Sequence, residues 1–171
     1  FDDAQIEREL RRYRLAYRRC ARPAREAAAL LAEGKIVGWF QGRVEFGERA
    51  LGNRSILADP RDALMKDRVN GAIKYREAFR PFAPSILEER TAEFFEGAHF
   101  VPFMEKALVV RKDKQRLIPA VTHADGTGRL QTVRRDVNPR FWDLINEFDA
   151  MTGVPVVLNT SFNLQGEPIV C

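Results

Sequence analysis

Apolar and polar positions along the chain fall into segments with two different periods. Across residues 3–19, Ile6, Leu10, Tyr13 and Tyr17 recur at i, i+4, i+7 and i+11, one stripe of an amphipathic helix whose other positions are mostly charged. Pro23, suited to a first helical turn, and Gly34, suited to the residue just past a helix end, bracket a second helix rich in alanine and leucine. The two helices are expected to pack as a hairpin or lid beside the main sheet. Residues 35–41, with Ile36, Val37, Trp39 and Phe40, read as a buried strand; 55–58, 82–87 and 106–111 read as further strands. Between them, Met65, Val69, Ala72 and Ile73 mark one face of a helix, and 89–95 a shorter one. Residues 119–133 carry two β-like runs around an Ala-Asp-Gly-Thr-Gly turn, which predicts a hairpin. Asn138 and Pro139 open a helix with Phe141, Leu144, Ile145 and Phe148 inward, Gly153 closes it, and 154–158 is a last buried strand. Strands alternating with helices predict an α/β or α+β sheet with helices packed on it.

Composition narrows the class. A chain of 171 residues can bury a core unaided, and Cys20 and Cys171 sit at opposite ends without metal-ligand spacing, so neither a disulfide framework nor a zinc site is expected and a reducing cytoplasm is the expected location. No stretch is long or apolar enough to span a bilayer, and the start is acidic and then arginine-rich rather than signal-like. The arginines of the first helix alternate with Glu7 and Glu9, which reads as a solvated face. A formal charge of +4 and a pI near 9.3 suit acidic small molecules or nucleic acid and decide little. The 22 arginines against six lysines lean toward bidentate oxyanion binding.

Candidate chemistry concentrates in residues 41–84. Arg43, Arg49, Arg54, Lys74, Arg76 and Arg80 are set among Gly42, Gly47, Gly52, Asn53, Ser55 and Asn70, with few regularly spaced apolar residues in the first half. Glycines let backbone N–H groups approach a ligand, and arginine forks match phosphate and carboxylate oxygens, so the stretch reads as a phosphate-handling site. Turn glycines, and salt bridges to Glu45, Glu48 or Glu77, are the alternative reading of the same residues.

Four blocks, EFGERALGNRSILADPR, VNGAIKYREAFRPFAPSIL, VTHADGTGRLQTV and GVPVVLNTSFNLQGEPIV, occur in the order found in the C-terminal region of NodU-type carbamoyltransferases, and the chain resembles that family from Ile36 onward. Glu48 and Gly128 depart from its pattern, where proline and alanine are expected. The resemblance implies a twisted mixed sheet with flanking helices, similar to the YrdC-like fold, over residues 35–171, with 1–34 as a helical hairpin or linker. It also implies that Lys74-Tyr75-Arg76 and Ser161-Phe162-Asn163 fit the K-x-R and S-x-N signature of that fold, making Lys74, Arg76, Ser161 and Asn163 first-rank nucleotide ligands. The implied chemistry joins carbamoyl phosphate and ATP into carbamoyl-adenylate, for transfer to a hydroxyl by a preceding actin-like domain that carries its own metal, iron or similar. The present sequence reads as the C-terminal piece of such a chain.

In that chemistry charge builds on phosphate oxygens, so positioned cations and N–H donors are the main resource. Arg49, Arg54, Lys74, Arg76, Arg80 and Arg129 are the cationic candidates; Asn159, Ser161 and Asn163 are the neutral ones. His123 beside Asp125 is a candidate general acid, with a hydrogen-bonded wall residue as the alternative. Glu45 and Glu167 could hold Mg²⁺ on the phosphates, but two separated acids make no metal signature. Replacing Lys74 or Arg76 is expected to weaken ATP binding and leave the fold intact, and their joint action requires the chain to leave the helix near Ile73. Two other classes remain: an RNA-binding YrdC-like module, opposed by Phe and Trp lying mostly in apolar runs, and a domain that only docks onto the preceding one, its own site vestigial.

Overall fold

The computed structural model describes residues 1–75, 77, 79–97 and 100–171. One open sheet contains β1 (Val37–Phe40), β2 (Arg54–Ala58), β3 (Ala83–Leu87), β4 (Lys106–Val109), β5 (Thr127–Val133) and β6 (Val156–Ser161), in spatial order β1-β2-β6-β3-β5-β4. Neighbours are antiparallel except β3 and β5, which run parallel, so the sheet is mixed and the α/β (α+β) expectation holds. β2 and β3 are buried at every position, as strands covered on both faces should be, while β1 and β4 at the edges are half-exposed or exposed.

The long helix α5 (Pro139–Thr152) starts where the Asn138 side chain accepts from Phe141 N at 3.3 Å and stops at Gly153, whose φ of 73° a glycine adopts without cost. Its periodic residues Phe141, Leu144, Ile145 and Phe148 are fully buried. Helix α2 (Pro23–Ala32) packs chiefly on α5 and adds Ala27, Ala28 and Leu31 to the same core. Helix α2 therefore shares the core of the main domain.

Several expectations need correction. Helix α1 spans Asp3–Arg12 rather than reaching 19, because the chain turns at Arg14 with φ 54°. Its stripe is not buried: Ile6 and Tyr13 are exposed, and its arginines pair with its own acids, Arg11 with Glu7 at 2.7 Å and Arg12 with Glu9 at 3.4 Å. The hairpin over 119–133 does not form. Pro119–Val121 is a 3₁₀ turn whose Ala120 N–H bonds Pro60 O at 3.1 Å, and β5 takes its antiparallel partner from β4. The apolar run before the turn fills core instead of pairing, which alternation alone cannot distinguish. Finally, the helix through Ile73 divides into α3 (Met65–Val69) and a π turn, Asn70–Lys74, closed by Tyr75 N to Asn70 O at 2.7 Å. The wider turn leaves Ala72 exposed and buries Lys74 in place of the apolar stripe. The last strand also extends past Leu158 to Ser161, and 89–95 divides into a 3₁₀ turn, Glu88–Arg90, and the short α4 (Thr91–Phe94). Among the described residues no helix is long and apolar enough to cross a membrane.

Candidate functional site

Strand register brings the four sequence blocks to one end of the sheet. Ser55 lies opposite Ser161, Ala83 opposite Asn159, and Ser85 opposite Gln131. The end of β1, the starts of β2, β3 and β5, and the end of β6 therefore share one edge. The glycine-arginine loop, the segment after the π turn, the His123 turn and the Ser-x-Asn segment all leave from it.

Lys74 is the centre of this edge. Tyr75 follows it in a left-handed conformation, φ 44°, so the chain leaves the helix next to Ile73 as the signature requires. Its side chain is 5% exposed, and Nζ donates to Ser161 O at 2.6 Å, Ser161 Oγ at 3.2 Å, Asn163 O at 3.0 Å and Asn163 Oδ1 at 2.7 Å. Ser161 Oγ also donates to Asn163 Oδ1 at 2.7 Å. These four described acceptors are neutral oxygens that hold the ammonium in place. A buried cation among dipoles attracts an anion far more strongly than the same cation in water. Arg76, its expected partner on the ligand, lies outside the described residues.

The glycine loop is held from within. Glu45 Oε1 accepts from Leu51 N and Asn53 N, both at 2.7 Å, and Gly52 N donates to Ser55 Oγ at 3.0 Å. Three successive amides of the loop are thus occupied by the protein's own oxygens. Arg54 is 1% exposed. It donates to the carbonyls of Gln41 at 2.8 Å, Asn53 at 2.9 Å and Gly42 at 3.3 Å, and its guanidinium lies 3.5 Å from the Phe40 ring centroid. In this arrangement it braces the loop. Gln41, Asn53 and Asn138 link loop, strand and the start of α5 through bonds of 2.7–3.0 Å.

Asn159 is likewise an internal group, 1% exposed, with Nδ2 on Ala50 O at 3.2 Å, Ser85 Oγ at 3.0 Å and Gln131 Oε1 at 3.1 Å. Ser85 and Gln131 were not singled out in the sequence, although Ser85 is a lone polar residue in an apolar run. Arg49 is exposed beside Glu48 at 3.1 Å, and Arg80 is exposed with Glu77 at 3.7 Å. Arg129 is half-buried on the same face of β5 as Gln131. Glu167 is exposed, and its carbonyl accepts from Asn163 Nδ2 at 2.7 Å. The aromatic residues are not all internal: Phe46, Tyr75 and Phe79 are exposed in the loops at this end, so the argument against base stacking does not extend to them.

At His123, Thr127 Oγ1 donates to Asp125 Oδ1 at 2.7 Å and so accepts from Nδ1–H at 3.0 Å. Asp125 fixes the tautomer through a hydroxyl, leaving Nε2 as a buried lone pair without a donor among the described residues. Burial pushes the imidazole pKa down, with Asp125 opposing and Arg129 adding to the shift. With Nδ1–H committed to Thr127, the nitrogen left over at His123 is Nε2. Because the folded pKa lies below the unfolded value, the unfolded state binds more protons, so this group's stabilising contribution is complete above about pH 6.5 and falls as pH drops toward the folded pKa. Thermal melts from pH 7.5 to 5.5 should show a loss of stability that is smaller in His123→Gln; parallel curves would refute the assignment.

The architecture and the gathered motifs define an α/β domain of the carbamoyltransferase C-terminus family, to which the chain belongs, residues 28–171 matching that family. It is 53% identical over 173 residues to the nodulation protein NolNO of Sinorhizobium fredii, covering 98% of this chain and 25% of that protein. It is 57% identical over 150 residues to the nodulation protein NolO of Bradyrhizobium diazoefficiens, covering 86% and 27%. With nodulation protein U of Rhizobium fredii the identity is 43% over 141 residues, covering 82% and 24%. The chain spans about a quarter of the length of these relatives.

Proposed function

We propose that this domain binds ATP and carbamoyl phosphate at the Lys74 edge of the sheet and forms carbamoyl-adenylate, which the preceding part of a longer cytoplasmic chain passes to a hydroxyl acceptor. The observation that carries this reading is the buried ammonium of Lys74, held by Ser161 and Asn163 at the place where four loops meet. Carbamate, released when carbamoyl phosphate loses its phosphate to water, attacks the α-phosphorus of ATP through an oxygen. An O–P bond forms as the bond from the α-phosphorus to the pyrophosphate oxygen breaks. Lys74, with Arg76 and Arg129 as further cations, would stabilise the charge that accumulates on the phosphate oxygens, and Ser161 and Asn163 would orient them. No side-chain nucleophile is required. Mg²⁺ would be held by the triphosphate oxygens and water, since Glu45 has one carboxylate oxygen committed to two amides.

Calorimetry should show ATP binding to the chain, and labelled pyrophosphate should exchange into ATP only when carbamoyl phosphate is present. Exchange that ignores carbamoyl phosphate, or no ATP binding, would overturn the proposal. Salt-sensitive RNA binding at the exposed Phe46, Tyr75 and Phe79 without ATP binding would favour the nucleic-acid reading instead.

A further inference from the structure

We infer that Ser85, Gln131, Asn159 and Glu45 are positioning residues that set the nucleotide site by clamping the glycine loop from below and from within; this rests on the ATP-binding reading above. The three sheet residues sit on neighbouring strands β3, β5 and β6 and are 0%, 4% and 1% exposed, in the middle of an otherwise apolar core. Burying three uncharged polar side chains is costly unless their bonds accomplish something. Their bonds form one short chain. Ser85 Oγ donates to Gln131 Oε1 at 2.6 Å, Asn159 Nδ2 reaches both, and the outward ends terminate on backbone: Asn159 on Ala50 O at 3.2 Å and Gln131 Nε2 on Leu51 O at 2.8 Å. The network therefore ties two consecutive carbonyls of the glycine loop to the sheet.

Glu45 closes the same segment from the other side, taking the N–H of Leu51 and of Asn53. Between these clamps lies Gly52, with φ 108°, a conformation that side-chain-bearing residues rarely adopt. An unclamped chain would not hold it. The buried acceptors Glu45 Oε2 and Asn159 Oδ1 find no donor among the described residues, so both groups are kept at a cost for the bonds their other atoms make.

The clamp reaches the Lys74 site by two routes, one along the backbone of β6 and one through a backbone hydrogen bond. Asn159 is two residues from Ser161 on the same face of β6, so fixing its amide fixes the strand end that holds the ammonium. On the loop side, Asn53 leads into Arg54, whose carbonyl accepts from Phe162 N at 2.9 Å, in the middle of the Ser-x-Asn segment. Loosening the loop would let the residues whose oxygens accept from Lys74 drift without removing any residue that touches a ligand.

The test compares the parent with the shape-conserving double variant Ser85→Ala, Gln131→Met, which removes both polar groups and little volume. Its melting midpoint should fall by no more than about 10 °C, because Ser85 and Gln131 lose their mutual bond together, and Asn159, deprived of both, keeps its bond to Ala50 O. Amides of Leu51, Gly52 and Asn53 should exchange hydrogen at least about tenfold faster while those of β3 and β5 keep their protection. The Kd for ATP should rise at least about tenfold. Glu45→Ala, which alters no core residue, should give the same pattern at Leu51 and Asn53 and carries the test if the double variant does not fold. A folded variant that binds ATP like the parent overturns the inference, as does a uniform loss of protection across the core, which would mark ordinary destabilisation. A parent that binds no ATP overturns the functional reading, and this inference with it; a parent that binds alongside a variant that binds equally well overturns this inference alone.

Discussion

Replacing Lys74 with methionine should weaken ATP binding by about 1.5–3 kcal/mol, roughly 10- to 150-fold, and also cost about 2–3 kcal/mol of stability, the scale of hydrogen bonds to a charged group. Both effects follow from one geometry. Nζ is the common donor to four oxygens of Ser161 and Asn163, so removing it leaves part-buried acceptors with one partner fewer and frees the segment after β6. The sequence alone suggests that such a substitution would spare the fold, because a signature lysine reads as a ligand and not as a tie between a π turn and a strand end. Urea denaturation and calorimetry on the same variant separate the two effects. Wild-type ATP affinity in the methionine variant would remove Lys74 from the site and leave it a purely structural lysine.

Gly52→Ala should be the most damaging single methyl in the chain, at about 3–5 kcal/mol from backbone strain and overpacking together. An added Cβ would stand 2.2 Å from Phe141 Cδ1, in a fully buried ring on α5, and the φ of 108° would be strained even in open space. Gly47 provides the control. It has φ 126° and nothing within 4 Å, so Gly47→Ala should show the backbone component alone, about 1–2 kcal/mol. Equal losses in the two variants would show that the Phe141 contact contributes nothing. Because Gly52 lies between the two clamps on the loop, its substitution should also reduce ATP binding in whatever fraction remains folded.

Periodicity made most of the fold legible. The stripe of α5, its Asn138 and Gly153 ends, and the apolar segments of β2, β3 and β6 are local patterns with local causes, and the structure reproduces them within a few residues. The run before the Ala124–Gly128 turn misled because a short apolar segment looks the same whether it pairs as a strand or packs as a 3₁₀ turn under a helix. At α1 the stripe was real, but no part of the described chain covers it, and amphipathicity specifies a face without specifying a partner.

For the site, the sequence by itself determined which residues carry charge and which loops are glycine-rich, and the family's motif spacing pointed to Lys74, Ser161 and Asn163. Only the tertiary structure decided how those groups are used. Arg54 and Asn159 look like ligands in the sequence because a fork and an amide suit phosphate, yet each is folded inward onto backbone carbonyls. Glu45 fills the amide nest that the glycines seemed to leave open. Whether a polar group faces a ligand or its own chain depends on strand register and on contacts between residues far apart, such as Leu51 with Gln131 and Ala50 with Asn159. Those pairings are set by the closure of the sheet, a long-range event that no window of the sequence contains.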